Sequence, residues 1–198
     1  MPPTDGGNKI NRSNRVAAQI AQELGATACT DVTGFGVLGH LVEMCKAAKS
    51  SIPCLDIAGA MKMAVSVTLF LGSIPVLSGA TECVEAGIYS SLHPSNLRLR
   101  HAIQQKAGKG QVAMHTLERQ RHRYVYSLLF DPQTSGGLIV ALPASTDSSS
   151  NEYGSAENYV RKLHANGYPG AAIIGKVAEP IPEEAAESPV CIRLAEGR

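Results

Sequence analysis

A carboxylate stands directly ahead of a glycine-rich turn in the run Ala28-Cys29-Thr30-Asp31-Val32-Thr33-Gly34-Phe35-Gly36-Val37-Leu38-Gly39-His40. The acid ends a short apolar stretch, and an amphipathic helix is expected to start at once. A carboxylate is a hard oxygen ligand suited to Mg2+, which usually takes one or two protein carboxylates together with substrate phosphates. The first N–H groups of a helix have no intrahelical partner and lie at the positive end of its dipole, so they can hold an anion. Gly34 and Gly36 let the backbone take positive φ and let a ligand come close. Asp31, Thr33, Gly34 and Gly36 are therefore candidates for holding a metal ion and the phosphate it neutralises.

The helix rests on spacing. Val37, Leu38, Leu41, Val42, Cys45 and Ala48 recur by threes and fours between Val37 and Lys49, with Glu43, Lys46 and Lys49 mainly opposite. Taken alone, the turn reads first as a plain strand-to-helix connection with Asp31 or Thr33 as its N-cap. His40 falls on the first helical turn and, alone, reads as a packed or solvent-facing histidine rather than a catalyst.

A second run, Leu128-Leu129-Phe130-Asp131-Pro132-Gln133-Thr134-Ser135-Gly136-Gly137-Leu138-Ile139-Val140-Ala141-Leu142-Pro143, follows about a hundred residues later. Asp-Pro favours a turn and Gly-Gly a tight backbone path. Leu138 to Leu142 is a continuous apolar stretch consistent with a central strand, stopped by Pro143.

Thr30-Asp31-Val32-Thr33-Gly34-Phe35-Gly36 with Leu38-Gly39-His40, followed by Asp131-Pro132-Gln133-Thr134-Ser135-Gly136-Gly137-Leu138, resembles selenophosphate synthetase (selenide, water dikinase). Asn11-Arg12 and Asn14-Arg15 look like that family's entry to the same region. The resemblance spans residue 9 to the C-terminus and is weak between the two runs. It implies an activity that makes selenophosphate from selenide, ATP and water, releasing AMP and phosphate. It also implies a second, N-terminal domain with a reactive Cys or selenocysteine, a Lys, further metal-binding Asp residues and the dimer contact. This chain then looks like the C-terminal domain, which resembles that of aminoimidazole ribonucleotide synthetase. By that likeness Asp31 would ligate a Mg2+ bridging ATP phosphates, with Thr33, Gly34 and Gly36 near the phosphates and no catalytic residue in the chain. The sequence departs from the family at Gly79-Ala80-Thr81-Glu82-Cys83, where many relatives have Gly-Gly-Thr followed by a polar or charged pair.

At 198 residues and 44% hydrophobic, the chain can bury a real core as one domain. A net charge of +1 carries no nucleic-acid footprint, and no apolar stretch is long enough to span a bilayer. The first thirty residues lack the apolar core of a signal peptide. Five scattered cysteines without a Cys-x-x-Cys indicate neither a disulfide framework nor a zinc site, so reduced thiols and a cytoplasmic location are expected. Cys29 lies two residues before Asp31, whose charge should raise the thiol pKa and oppose a nucleophilic role.

Along the chain, residues 1–10 read as linker and 11–198 as one domain. Ser13 is placed to cap a helix with Val16, Ile20 and Leu24 in line, closed by Gly25. Short strands are expected at Ala26–Thr30, Ile52–Ile57, Ala171–Gly175 and Val190–Leu194, and helices at Ala60–Leu71, Pro94–Ala107 and Glu157–Ala165. Residues 83–127 look insertion-like, and 145–150, rich in serine, read as a mobile loop. The cluster Arg119, Arg121, His122 and Arg123 could meet phosphate or a tRNA-like partner but reads more simply as a solvated face. The element order gives an α+β fold, a mixed sheet with packed helices. Alternatives to the first reading are another ATP-using member of the same superfamily and a non-catalytic partner that reuses the fold.

Overall fold

The computed structural model describes residues 12–50, 65–103, 122–144, 155–178 and 191–195. The expected linker at 1–10, the strand at 52–57, the serine-rich loop at 145–150, and Arg119 and Arg121 lie outside these residues.

Helix α1, Arg15–Glu23, buries Ala17, Ile20 and Ala21. The expected Val16–Ile20–Leu24 line is thus rotated, with Val16 exposed. Asn14, not Ser13, is the N-cap residue, while Ser13 Oγ accepts the Arg15 N–H at 3.1 Å. The helix closes as expected at Gly25: Ala26 N–H donates to Ala21 O and Gly25 N–H to Gln22 O, the paired bonds of a Schellman end.

Strand β1, Ala28–Asp31, pairs antiparallel with β3, Leu138–Ala141, with Asp31 opposite Leu138 and Ala28 opposite Ala141. Between them in sequence lie α2, Gly36–Ser50, and β2, Ser66–Phe70, followed by a 3-10 turn at Leu71–Ser73. Next come two short helices, α3 at Ala80–Glu85 and α4 at His93–Asn96, then a 3-10 stretch at Leu97–Ala102 and helix α5 at Arg123–Leu128. Beyond β3 are α6, Ser155–Ala165, β4, Gly175–Ala178, and β5, Cys191–Ala195. Strand β2 is flanked by β4, antiparallel, and β5, parallel. The fold is α+β, with mixed helices and two open sheets among the described residues.

Three expectations are corrected. The apolar stretch from Ala60 is strand, not helix, where it is described: Val67, Thr68 and Phe70 favour a pleated, well-buried strand, and a short apolar run has no period to distinguish the two. Pro94 does sit in the first turn of α4, but the helix gives way to a 3-10 stretch after Asn96. Strand β3 pairs only with β1 among the described residues instead of being central in a sheet. Its continuous apolarity has another origin: Ile139 enters the main core, while Leu138 and Val140 pack on the α1–α6 cluster.

The main core gathers Leu38, Leu41, Val42 and Cys45 of α2 against Val67, Leu69, Ile103, Phe130 and Ile192. The expected face of α2 is thus the buried one, with Glu43 and Lys46 exposed. A second cluster joins Ala17, Ile20 and Ala21 to Tyr159 and Leu163 of α6. The Tyr159 hydroxyl donates to Ala17 O at 3.0 Å. Burial, then Cys29 and Tyr168, pushes its phenol up to about 12, so it stays a neutral donor. Strand β4 begins at Gly175, four residues later than expected, because Ala171 N–H is turned back to Tyr168 O.

Candidate functional site

The β1–β3 ladder brings the two informative runs together. It continues past Asp31 through Val32 N–H to Gly137 O at 3.0 Å, so the Gly-Gly path lies beside the acidic turn. A Cβ on Gly136 would collide with the Val32 carbonyl oxygen, which explains a glycine there. Thr33 O accepts two N–H groups, from Gly36 at 3.1 Å within its own turn and from Gln133 at 3.0 Å in the other run. Leu38 N–H donates to Leu129 O at 3.0 Å. Asn14 Nδ2 donates to Gly136 O at 3.1 Å, which ties the Asn-Arg entry to the second run.

Gly36 turns the chain into α2 with φ of +69°, and its N–H is engaged by Thr33 O. Its role in the turn is therefore conformational. Gly34 has open space where a side chain would be, with no atom within 4 Å of a built Cβ. Neither capping alternative holds: α2 begins at Gly36, and the Thr33 hydroxyl lies 3.0 Å from His40 Nε2. Asp31 is exposed at the end of β1.

Two residues outside the motifs support the turn. Asn96 of α4, 7% exposed, donates through Nδ2 to Gly34 O at 2.9 Å and to Phe130 O at 3.0 Å, clamping the two runs together. Its only sequence signal was a place in an expected helix, which says nothing of a long-range amide clamp. His93, also buried, donates from Nε2 to Ser127 O at 3.2 Å and stacks near Tyr89 and the edge of Phe130. Burial raises the Asp131 carboxyl above its ordinary range, although His93 and the Ser90 N–H pull it down.

Of the packed and solvent-facing readings its sequence position left open, His40 takes the packed one, at 7% exposure. Its Nδ1 lies 3.3 Å from the Glu43 carboxylate. Cys29 shares the exposed face of β1 with Asp31. Partial burial first, and Asp31 second, raise its thiol pKa, as expected from the sequence. Cys29 and Cys83 lie exposed and Cys45 is buried, none of them in a disulfide among the described residues.

The exposed, acceptor-only carboxylate of Asp31 fits a divalent cation chemically. No group of three His, Cys, Asp or Glu side chains gathers among the described residues, so Asp31 can supply only part of a cation's shell. Of the basic cluster, Arg123 lies over the Tyr124 ring at 4.5 Å, and the Tyr124 hydroxyl donates to Glu85 at 2.6 Å. No helix among the described residues is long and apolar enough to cross a membrane.

No protein-family model matches the chain. Curated relatives do. The selenide, water dikinase of Caldanaerobacter subterraneus subsp. tengcongensis is 34% identical over 166 residues, 84% of this chain and 38% of that protein. The Rhizobium meliloti protein of the same name is 34% identical over 165 residues, 83% of this chain and 37% of its own length. That of Clostridioides difficile is 29% identical over 164 residues, 83% and 37% respectively. An α+β chain with both motif runs paired and these matches across most of its length belongs to the selenophosphate synthetase family. The chain spans a little over a third of the length of these relatives.

Proposed function

We propose that the chain is the C-terminal part of a selenophosphate synthetase, making selenophosphate from selenide, ATP and water for selenocysteine synthesis. The observation that carries this reading is the meeting of the two runs, Asp31–Gly36 and Asp131–Leu138, on one strand ladder with shared hydrogen bonds at Thr33 O and Val32 N–H. Two distant motifs that build one surface act together. The fold reading that goes with it is the aminoimidazole ribonucleotide synthetase-like C-terminal domain.

In this reading Asp31 would supply one carboxylate to a Mg2+ whose remaining ligands lie outside the described residues, and such a cation would supply neutralisation of phosphate charge. Gly34 leaves room for phosphate to approach the turn, Gly36 fixes its path and Thr33 holds it to Gln133. The raised thiol of Cys29 argues against a nucleophile here. The nucleophile, the remaining metal ligands and the contact that forms a homodimer are assigned to the N-terminal domain, and the protein to the cytoplasm.

One carboxylate holds Mg2+ weakly, so the isolated chain is expected to bind ATP poorly and to be inactive. Calorimetry with MgATP checks this; micromolar affinity by this chain alone would refute it. Complementation with the full-length reading frame, wild type against Asp31→Ala, tests the metal assignment. Full activity of Asp31→Ala overturns it.

A further inference from the structure

Asn14 stands at the N-cap of α1, yet its side chain makes no capping bond. An Asn, Asp or Ser at that place ordinarily accepts a hydrogen bond from the second or third helical N–H. Here Asn14 Nδ2 donates instead to Gly136 O, 122 residues further along the chain, at 3.1 Å. A carbonyl only accepts, so the group facing it is the NH2. Among the common N-cap residues only Asn carries an amide donor of this reach.

What Asn14 holds lies against the acidic turn. Gly136 backs onto Val32 so closely that a Cβ there would stand 2.2 Å from the Val32 carbonyl oxygen. Gly137 O accepts the Val32 N–H at 3.0 Å. Val32, buried, follows Asp31 directly. The peptides on both sides of Val32 therefore rest on the two glycines that Asn14 fastens. Asn14 is itself held. Ser13 O accepts the Tyr168 hydroxyl at 2.8 Å. Arg12 donates to Gly167 O, with its guanidinium 5.2 Å from the centre of the Tyr168 ring. Residues 12–13 are thus tied to the turn that ends α6.

We propose that Asn14 is a positioning residue for the Asp31 turn, acting through Gly136 and Gly137, with Arg12 and Tyr168 keeping it in place. An amide then grips the turn at each end, Asn14 through Gly136 and Asn96 at Gly34 O. The consequence for activity rests on the reading given above, in which this turn faces ATP.

Amide hydrogen exchange on the full 198-residue chain tests the positioning. Val32 and Gln133, which donate to Gly137 O and Thr33 O, report the join between the two runs. Ala18, which donates to Asn14 O, reports the start of α1, and Phe70, which donates to Ile174 O, reports the β2 sheet. Asn14→Asp and Asn14→Ser both keep a good N-cap and lose the amide donor. Both are expected to speed exchange at Val32 and Gln133 about fivefold, one hydrogen bond's worth, with Ala18 and Phe70 no faster than in the wild type. An unchanged rate at Val32, or equal acceleration at all four amides, overturns the proposal. Arg12→Ala combined with Tyr168→Phe is expected to speed Val32 as well, and no change there refutes the part given to those two residues. In the full-length reading frame the two Asn14 variants are expected to lower kcat/KM for ATP about fivefold. Wild-type values in both overturn the consequence for activity. A full-length wild type that consumes no ATP with selenide overturns the reading above, while the exchange rates still decide the positioning.

Discussion

Gly36 lies against Leu129 so closely that a Cβ on it would stand 2.7 Å from the Leu129 carbonyl oxygen and 2.9 Å from that of Asp131. With φ at +69° as well, the position is closed to any side chain by backbone of the second run. Gly36→Ala is expected to destabilise the chain by about 2–4 kcal/mol, combining positive-φ strain with displacement of backbone. Gly34→Ala, with nothing near its Cβ, should change stability by under about 0.5 kcal/mol. Urea unfolding of the two variants checks the contrast; equal midpoints would refute it.

Asn96 satisfies two carbonyls with one amide nitrogen in a buried setting. Asn96→Ala leaves Gly34 O and Phe130 O without that donor and is expected to cost about 1–3 kcal/mol. Asn96→Asp should cost more, because a carboxylate would face two carbonyl oxygens. If Asn96→Asp unfolds at the same denaturant concentration as wild type, the clamp is absent.

Asp131 makes stability depend on pH. Its carboxyl is raised by burial, so the folded chain binds that proton more tightly than the unfolded one. The resulting stabilisation is complete below the unfolded value of about 3.9 and is lost as pH rises through the folded value. Asp131→Asn should therefore flatten this part of the stability profile and gain relative to wild type at neutral pH. Denaturant midpoints across pH 4–7 measure it; superimposable profiles would exclude the effect.

Cys29 and Asp31 share a strand face, and the carboxylate helps to hold the thiol in its protonated form. Asp31→Asn is expected to lower the Cys29 pKa and speed its reaction with a disulfide reagent a few-fold near neutral pH. The rate at Cys29, separated from other thiols by peptide mapping, decides the point. An unchanged rate would show that burial alone sets the thiol.

Helix α2 was legible because six apolar residues keep one period over thirteen positions, and its buried face follows that pattern. Gly25 and the Asn166-Gly167 break were legible because local chemistry ends a helix: Tyr168 N–H returns to Leu163 O, and Gly167 N–H to His164 O. Strand β2 was not, since its continuous apolar run carries no period. For β3 the apolar run signalled burial on both faces but not what lies there, which is two apolar clusters, and among the described residues only β1 pairs with it. At the site, Asp31 and the glycines stood out by residue type, and Asn14 by its likeness to the family's Asn-Arg entry, although its bond to Gly136 O did not. Asn96 did not stand out, because it acts through two carbonyls that only the folded chain brings near.

The ladder that joins the two runs also sets an order of events. Thr27 bonds to Ala141 across 114 residues of chain, so the Asp31 turn acquires its final shape only after a very long loop has closed. Such closure is entropically costly and contributes to slow folding. During synthesis the first run must wait, unpartnered, until Leu138–Ala141 emerges from the ribosome. Any shortening of the chain before that point removes both walls of the site at once, although only one of them is missing from the sequence.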